Sequence, residues 1–196
     1  MIETGARRRE IDEVASELFH ANGYAATSVR DIARALDIQG ASLYAHVASK
    51  EDVLWSIVDR AATAFEDAAE RALAETASDD PVERLAAIVE AHVETITSDP
   101  QRSSVFVTEW RYLSPDRRAE IGARRDAYEQ RLRDLIADGL AVGAFAAVDP
   151  AVAATFLLTA LNGIATWYRP DGRLSADRIA DHYVELALRS LSEDHR

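Results

Sequence analysis

The sequence predicts an all-α protein of about nine helices, and three observations carry that prediction. Apolar residues recur with a 3.6-residue period from end to end, while no stretch alternates strictly with period two. Four prolines follow an N-cap-type residue, in Asp80-Pro81, Asp99-Pro100, Ser114-Pro115 and Asp149-Pro150, and proline suits the first helical position. The fifth lies in "RPDGRLS", Arg169 to Ser175, a turn by composition.

The first helix is expected over residues 6–22, where Ile11, Val14, Ala15, Leu18 and Phe19 share one side and Asn22-Gly23 supplies the stop. A short second helix follows, capped by Thr27 or Ser28, with Asp31 placed to complete a capping box on Ser28. Its inward residues are Ile32, Ala33 and Leu36. Asp37 ends it where a helix-turn-helix usually has glycine, and Asp tolerates a left-handed backbone better than most residues. Ile38 and Leu43 pack a third helix too short to bury much. Its outward face holds Gln39, Ser42, Tyr44 and His46, an arrangement suited to a helix presented to a DNA major groove. Ser49 and Asp52 offer another capping box. The fourth helix is expected over 50–76, with Leu54, Ile57, Ala61, Phe65, Ala68 and Ala72 along its stripe. Helices near 81–98, 101–113 and 117–142 follow, and two apolar ones near 150–168 and 175–192 end the chain.

With 196 residues the chain can hold a small head, 1–50, and a larger body, 51–196. The net charge of −12 is uneven: the head carries six Lys and Arg against seven Asp and Glu, the body 16 against 27. Such acidity argues against a protein that coats nucleic acid generally. Lys50 is the only lysine, and a chain that otherwise uses Arg places its one flexible point charge there. With no cysteine there is no disulfide, thiolate zinc site or cysteine nucleophile. No run of 18 apolar residues exists, and the Arg-rich start lacks the apolar region of a signal peptide. The expectation is therefore a cytoplasmic protein without membrane contact. No catalytic, metal or cofactor residues are expected: G-x-S-x-G, P-loop, H-E-x-x-H and G-x-G-x-x-G are all missing. Asp181, His182 and Glu185 make the nearest metal-like cluster and read as a solvated helix face; His92 and Glu94, two apart, face different ways.

Residues 7–58 resemble the DNA-binding head of the TetR family of transcriptional regulators. The likeness is carried by "LFHANGYAATSVRDIARALDIQGASLYAHVASKEDVL", above all by Leu43, Tyr44, His46 and Lys50 following Gly23-Tyr24 and Thr27. The resemblance implies that Thr27 and Ser28 bond one phosphate and that Tyr44 and Lys50 bond others. It places Gly40, Ala41, Ser42 and Ala45 over base edges, with His46 either touching DNA or packing on the fourth helix. Arg7, Arg8 and Arg9 are either a solvated tail or further phosphate contacts.

The body carries Trp55, Phe106, Trp110, Tyr112, Tyr128, Phe145, Phe156, Trp167 and Tyr168, which are core or the lining of a ligand cavity between helices. Asn162, inside "FLLTALNGIATWY", caps a void, bonds a neighbouring helix or meets a ligand. A narrower resemblance links Glu109-Trp110-Arg111, Arg125, Tyr128, Asn162, Trp167-Tyr168-Arg169-Pro170 and Gly172 to TetR-type regulators of fatty-acid and steroid catabolism, which respond to acyl-CoA thioesters. It implies ligand contacts at Trp110, Arg111, Arg125, Tyr128, Asn162 and Trp167. No basic residue lies between Pro150 and Tyr168, so Arg102, Arg111, Arg124, Arg125 or Arg131 would have to meet a CoA phosphate.

The expected function is a ligand-responsive repressor that leaves a palindromic double-stranded operator on binding a small hydrophobic effector, with acyl-CoA the favoured class. A sensor of drug-like compounds on the same fold, and a small helical enzyme with an unrecognised site, are the alternatives. A homodimer is expected, because one recognition helix covers too few bases. Its interface would use Ala153, Ala154, Ala160 and Gly163 for close approach and Leu157, Ile164, Ile179, Tyr183 and Leu186 for apolar area.

Overall fold

The computed structural model describes residues 2–192, so Met1 and residues 193–196, the outer ends of the ranges 1–50 and 51–196, lie outside the described residues. The helices are α1 (Ile2–Asn22), α2 (Val29–Ala35), α3 (Gly40–Leu43), α4 (Lys50–Glu75), α5 (Pro81–Ser98), α6 (Pro100–Thr108), α7 (Pro115–Ala141), α8 (Pro150–Trp167) and α9 (Ala176–Ser190). A 3₁₀ turn, Trp110–Tyr112, follows α6, so the single helix expected over 101–113 is broken after Thr108. There is no strand among the described residues.

Side chains set most of the boundaries. Gly23 takes φ +81°, and its N–H closes α1 onto Phe19 O at 2.9 Å. Ser28 caps α2 with both halves of the box made: Asp31 N–H donates to Ser28 Oγ, and Ser28 N–H donates to the Asp31 carboxylate. Asp80 accepts from Val82 N–H at 2.9 Å ahead of Pro81, and Asp149 accepts from Ala151 and Val152 N–H ahead of Pro150. Asp37 has φ +52°, the left-handed turn that separates α2 from α3. The Ser49 cap is only half a box: Asp52 N–H donates to Ser49 Oγ at 3.0 Å, while the Asp52 carboxylate turns to Arg8.

Two units divide the described chain. The first runs to Ala62 and adds Gln101–Gly122; the second comprises Thr63–Pro100 and the chain from Ala123. Helix α4 therefore contributes its first half to one unit and its second half to the other, as α7 does at Gly122. In the first unit α1 packs on α2 and α2 on α3, around Ile11, Phe19, Ile32, Leu43, Leu54 and Ile57, each at most 1% exposed. Burying one such side chain contributes about 1.5–3 kcal/mol. In the second unit α5 packs against α8 and α9 over Leu85, Ile88, Val89, Val93 and Ile96.

One correction concerns α8 and α9. Ala153, Ala154, Leu157, Ile164 and Ile179, expected at a dimer interface, are buried inside the second unit at 5% exposure or less. Helix α8 has a narrow polar stripe, Thr155, Thr159, Asn162 and Thr166, and an apolar surface wider than the core takes, so its periodicity alone does not say which apolar residues would be buried. The residues left outside are Val152, Phe156, Ala160 and Trp167 together with Thr155, Thr159 and Thr166. By length and composition alone α8 could cross a membrane, a test that a bundle's core helix also passes.

Candidate functional site

Two groups of side chains stand out, one in each unit. In the first, α3 is a four-residue helix anchored by one buried residue, Leu43. Its bonds tighten after Leu43, where Ala45 N–H and His46 N–H donate three residues back, to Ser42 O and Leu43 O. Tyr44 is thus the C-cap rather than a mid-helix residue, and His46 lies beyond the helix. Ala41, Ser42, Tyr44 and Ala45 are exposed together, Tyr44 at 56%. A Cβ on Gly40 would meet nothing within 4 Å, so glycine there leaves a flat surface rather than relieving a clash. His46 is half-buried, with Nδ1 turned inward and without a partner, apart from the exposed surface of Ser42 and Tyr44.

Thr27 and Lys50 hold the loop that leads into α2. Thr27 is 3% exposed, and its hydroxyl donates to Gly23 O at 2.9 Å. Lys50 Nζ donates to Tyr24 O and Thr27 O, each at 2.8 Å, and lies 4.0 Å from the centre of the Tyr24 ring. Burial lowers its pKa. Ser28 remains at the exposed N-terminus of α2, the end of a helix that favours anions.

An ion-pair network that the sequence reading missed supports this region from behind. Asp12 on α1 is 1% exposed and accepts from Ser56 Oγ at 2.7 Å and from Arg8 at 3.1 Å, with Arg60 at 3.4 Å. Arg8 also reaches the Asp52 carboxylate at 2.9 Å. Arg7 pairs with Glu10, so Arg7 and Arg8 are both engaged within the protein. Burial pushes the Asp52 and Glu51 carboxyls up, but the partners Arg8, Ser114 and Arg117 outweigh it and hold both below their ordinary values. The available signal was the i, i+4 pair of Asp12 and Ser16 beside the Ile11, Ala15, Phe19 stripe.

The second group is a polar cluster inside the second unit. His92 on α5 is 4% exposed, and its Nδ1 lies 3.0 Å from the Tyr128 hydroxyl of α7. Phe65 of α4 covers the imidazole at 4.7 Å between centroids. His92 Nε2 is buried with no partner at hydrogen-bond geometry, although Asn162 of α8 interacts with the ring. Burial first, and the Arg125 charge second, lower His92 to about 3, so its neutral form persists. Burial likewise drives the Tyr128 hydroxyl up. The sequence signal for His92 is its place as a polar residue inside the apolar stripe Leu85, Ile88, Val89, Val93, Ile96.

The other expected ligand residues are spread more widely. Arg125, Tyr128 and Asn162 converge on His92. Trp167 is 49% exposed and interacts with Tyr183 of α9; it lines a cavity of about 280 Å³ with Arg169 and Arg173. Trp110 and Arg111 belong to the first unit, where Arg111 is exposed. Arg124 is committed to α4: it donates to Glu66 at 2.6 and 2.8 Å and to Thr63 at 2.8 Å. No group of three or more His, Asp or Glu side chains able to hold a metal occurs among the described residues.

Comparison with known proteins places both groups in a context. Residues 11–57 match the family model of bacterial regulatory proteins of the tetR family, and residues 78–191 match that of the tetracyclin repressor-like C-terminal domain. The HTH-type transcriptional repressor KstR2 of Rhodococcus jostii is 29% identical over 96% of this chain and 93% of its own. The structure of the TetR family transcriptional regulator PfmR from Thermus thermophilus superposes with a TM-score of 0.82 at 37% identity, covering 91% of this chain and 97% of that one. AibR, solved in complex with isovaleryl coenzyme A and operator DNA, gives a TM-score of 0.82 at 32% identity over 92% of this chain and 97% of its own.

Proposed function

The chain belongs to the TetR family of bacterial regulatory proteins, as a ligand-responsive transcriptional repressor and not an enzyme, and from that premise we propose that its effector is an acyl-CoA thioester. The observation that carries this reading is the likeness, along almost the whole chain, to a regulator bound at once to isovaleryl coenzyme A and operator DNA. Residues 1–50 form the DNA-binding head in this reading, and 51–196 the effector-binding and dimerisation body, acting in the cytoplasm where the operator is.

On the head, Ser42, Tyr44 and Ser28 supply exposed hydroxyl groups, and Gly40, Ala41 and Ala45 keep the surface low enough to approach base edges. Thr27 and Lys50 hold the loop that aims α2 and α3, and Lys50 adds positive charge beside the phosphates. His46 supports the turn after α3. In the body the effector contacts are Arg125, Tyr128 and Asn162, joined by His92.

Two copies are needed to read a palindrome. The exposed stripe of α8, with Val152 at 65%, Phe156 at 59% and Trp167 at 49%, and Leu186 of α9 at 62%, supports an isologous four-helix contact. A groove of about 350 Å³ runs between Phe156 and Leu186 on this face, floored by Leu157 and Leu161. Helices α4 and α7 each contribute to both units, and an effector that biases the position of α4, which leads on from α3, would shift the two heads of the dimer relative to each other. Coupling of this kind is typically about 1–3 kcal/mol, or roughly 5–150-fold in DNA affinity. It requires tighter effector binding to the DNA-incompetent state.

The deciding experiment titrates the protein–operator complex with acyl-CoA thioesters beside the matching free acids and free CoA. Release by thioesters alone supports the reading. Equal release by free acids, or none by any thioester, overturns it.

A further inference from the structure

Among the described residues of the second unit His92 is the one polar residue that is buried as a whole, and with Tyr128 it has a definite hydrogen-bonding deficit. The imidazole is neutral and the phenol protonated, so the pair holds two protons and shares one between Nδ1 and the hydroxyl oxygen. Either tautomer leaves one donor over. If Tyr128 donates to Nδ1, the proton sits on Nε2, which has no partner at hydrogen-bond geometry. If Nδ1–H donates to Tyr128, the surplus proton is on the phenol and Nε2 is an unmet acceptor. The side chain is 4% exposed and Asn162 interacts with the ring without meeting hydrogen-bond geometry at Nε2, so that atom has an unmet bond that a ligand entering beside Asn162 would complete.

We propose that His92 and Tyr128 together form the recognition point for the thioester carbonyl oxygen of the effector. The inference rests on the acyl-CoA reading above and adds to it the atom that is recognised. A carbonyl oxygen is an acceptor without charge, which suits a neutral donor among Phe65 and the apolar residues of α5. A carboxylate would have to be desolvated at the same place, a cost that a neutral N–H does not offset. Arg125 lies close enough to act on His92 electrostatically, so the free acid is the competing ligand that the experiment has to include.

The test compares each of acetyl-, isovaleryl- and octanoyl-CoA with its S-alkyl thioether, which lacks only the carbonyl oxygen, and with the free acid, by calorimetry. Wild type should bind the thioester about tenfold tighter than the thioether, the ratio expected for one buried hydrogen bond. His92→Phe should bring the thioester down to the thioether and leave the thioether unchanged, while His92→Gln, which keeps a donor, should retain part of the preference. Equal wild-type affinity for thioester and thioether overturns the inference and leaves the acyl-CoA reading standing. Loss of both ligands in the same ratio in a folded His92→Phe protein also overturns it, because that is the signature of a packing role. Wild type binding no CoA compound, or binding free acids as well as thioesters, overturns the acyl-CoA reading and the inference with it.

Discussion

Lowering the pH from 7 to 5 should destabilise this protein through one residue. His92 is held neutral in the fold, with a value lowered from 6.5 to about 3 by burial and by Arg125. In the unfolded chain its value returns to about 6.5. The unfolded state therefore binds a proton that the folded state refuses, so stability is fully present above pH 6.5 and is lost as pH falls toward 3. Linkage sets the slope at about 1.4 kcal/mol per pH unit, which over this window amounts to about 2 kcal/mol. Glu51, Asp52 and Glu129 are held below their ordinary values, so they titrate beneath the window and do not mask the effect. The assay is urea unfolding at pH 7 and 5, followed by tryptophan fluorescence at one protomer concentration. His92→Gln should start less stable at pH 7 and show little of the pH-dependent loss. An equal loss in wild type and variant, or a wild-type loss under about 0.5 kcal/mol, refutes a buried neutral histidine.

On the DNA side, operator affinity measured by fluorescence anisotropy should fall steeply with salt. Tyr44→Phe should weaken binding alike on all sequences, while Ser42→Ala should change base preference by about 1–3 kcal/mol at the affected position. Lys50→Ala should also loosen the Tyr24–Thr27 loop, so its loss of DNA affinity should come with faster amide exchange there; unchanged exchange would refute the anchoring role. Asp12→Ala leaves Arg8 and Ser56 without their shared acceptor and should cost about 3–5 kcal/mol in denaturant unfolding. A loss below about 1 kcal/mol would show the network to be dispensable. Phe156→Glu with Leu186→Glu should convert a dimer into a folded monomer in sedimentation at micromolar concentration; an unchanged sedimentation coefficient would place the interface elsewhere.

What the sequence determined by itself is the local part of this protein. Helix ends at Gly23, Ser28, Pro81 and Pro150, and the left-handed turn at Asp37, depend on caps and dihedral preferences that act within about four residues. Tyr44 and Ser42 are legible for the same reason, since a short helix with one buried anchor must leave its other side outside. The tertiary structure decided whatever depends on partners distant in sequence. Lys50 looks like a free charge until the carbonyls of Tyr24 and Thr27 arrive from 26 and 23 residues away. Asp12 meets Ser56 across 44 positions, and His92 meets Tyr128 across 36. Helix α8 carries the same lesson in apolar form: beside its Thr155, Thr159, Thr166 stripe the apolar surface is wider than the core takes, and packing against α5 chose which part is buried and which, Val152 and Phe156 among it, stays exposed. Periodicity reports that a helix has an apolar face; the desolvation and hydrogen bonding of a particular side chain are set by neighbours that the local sequence does not contain.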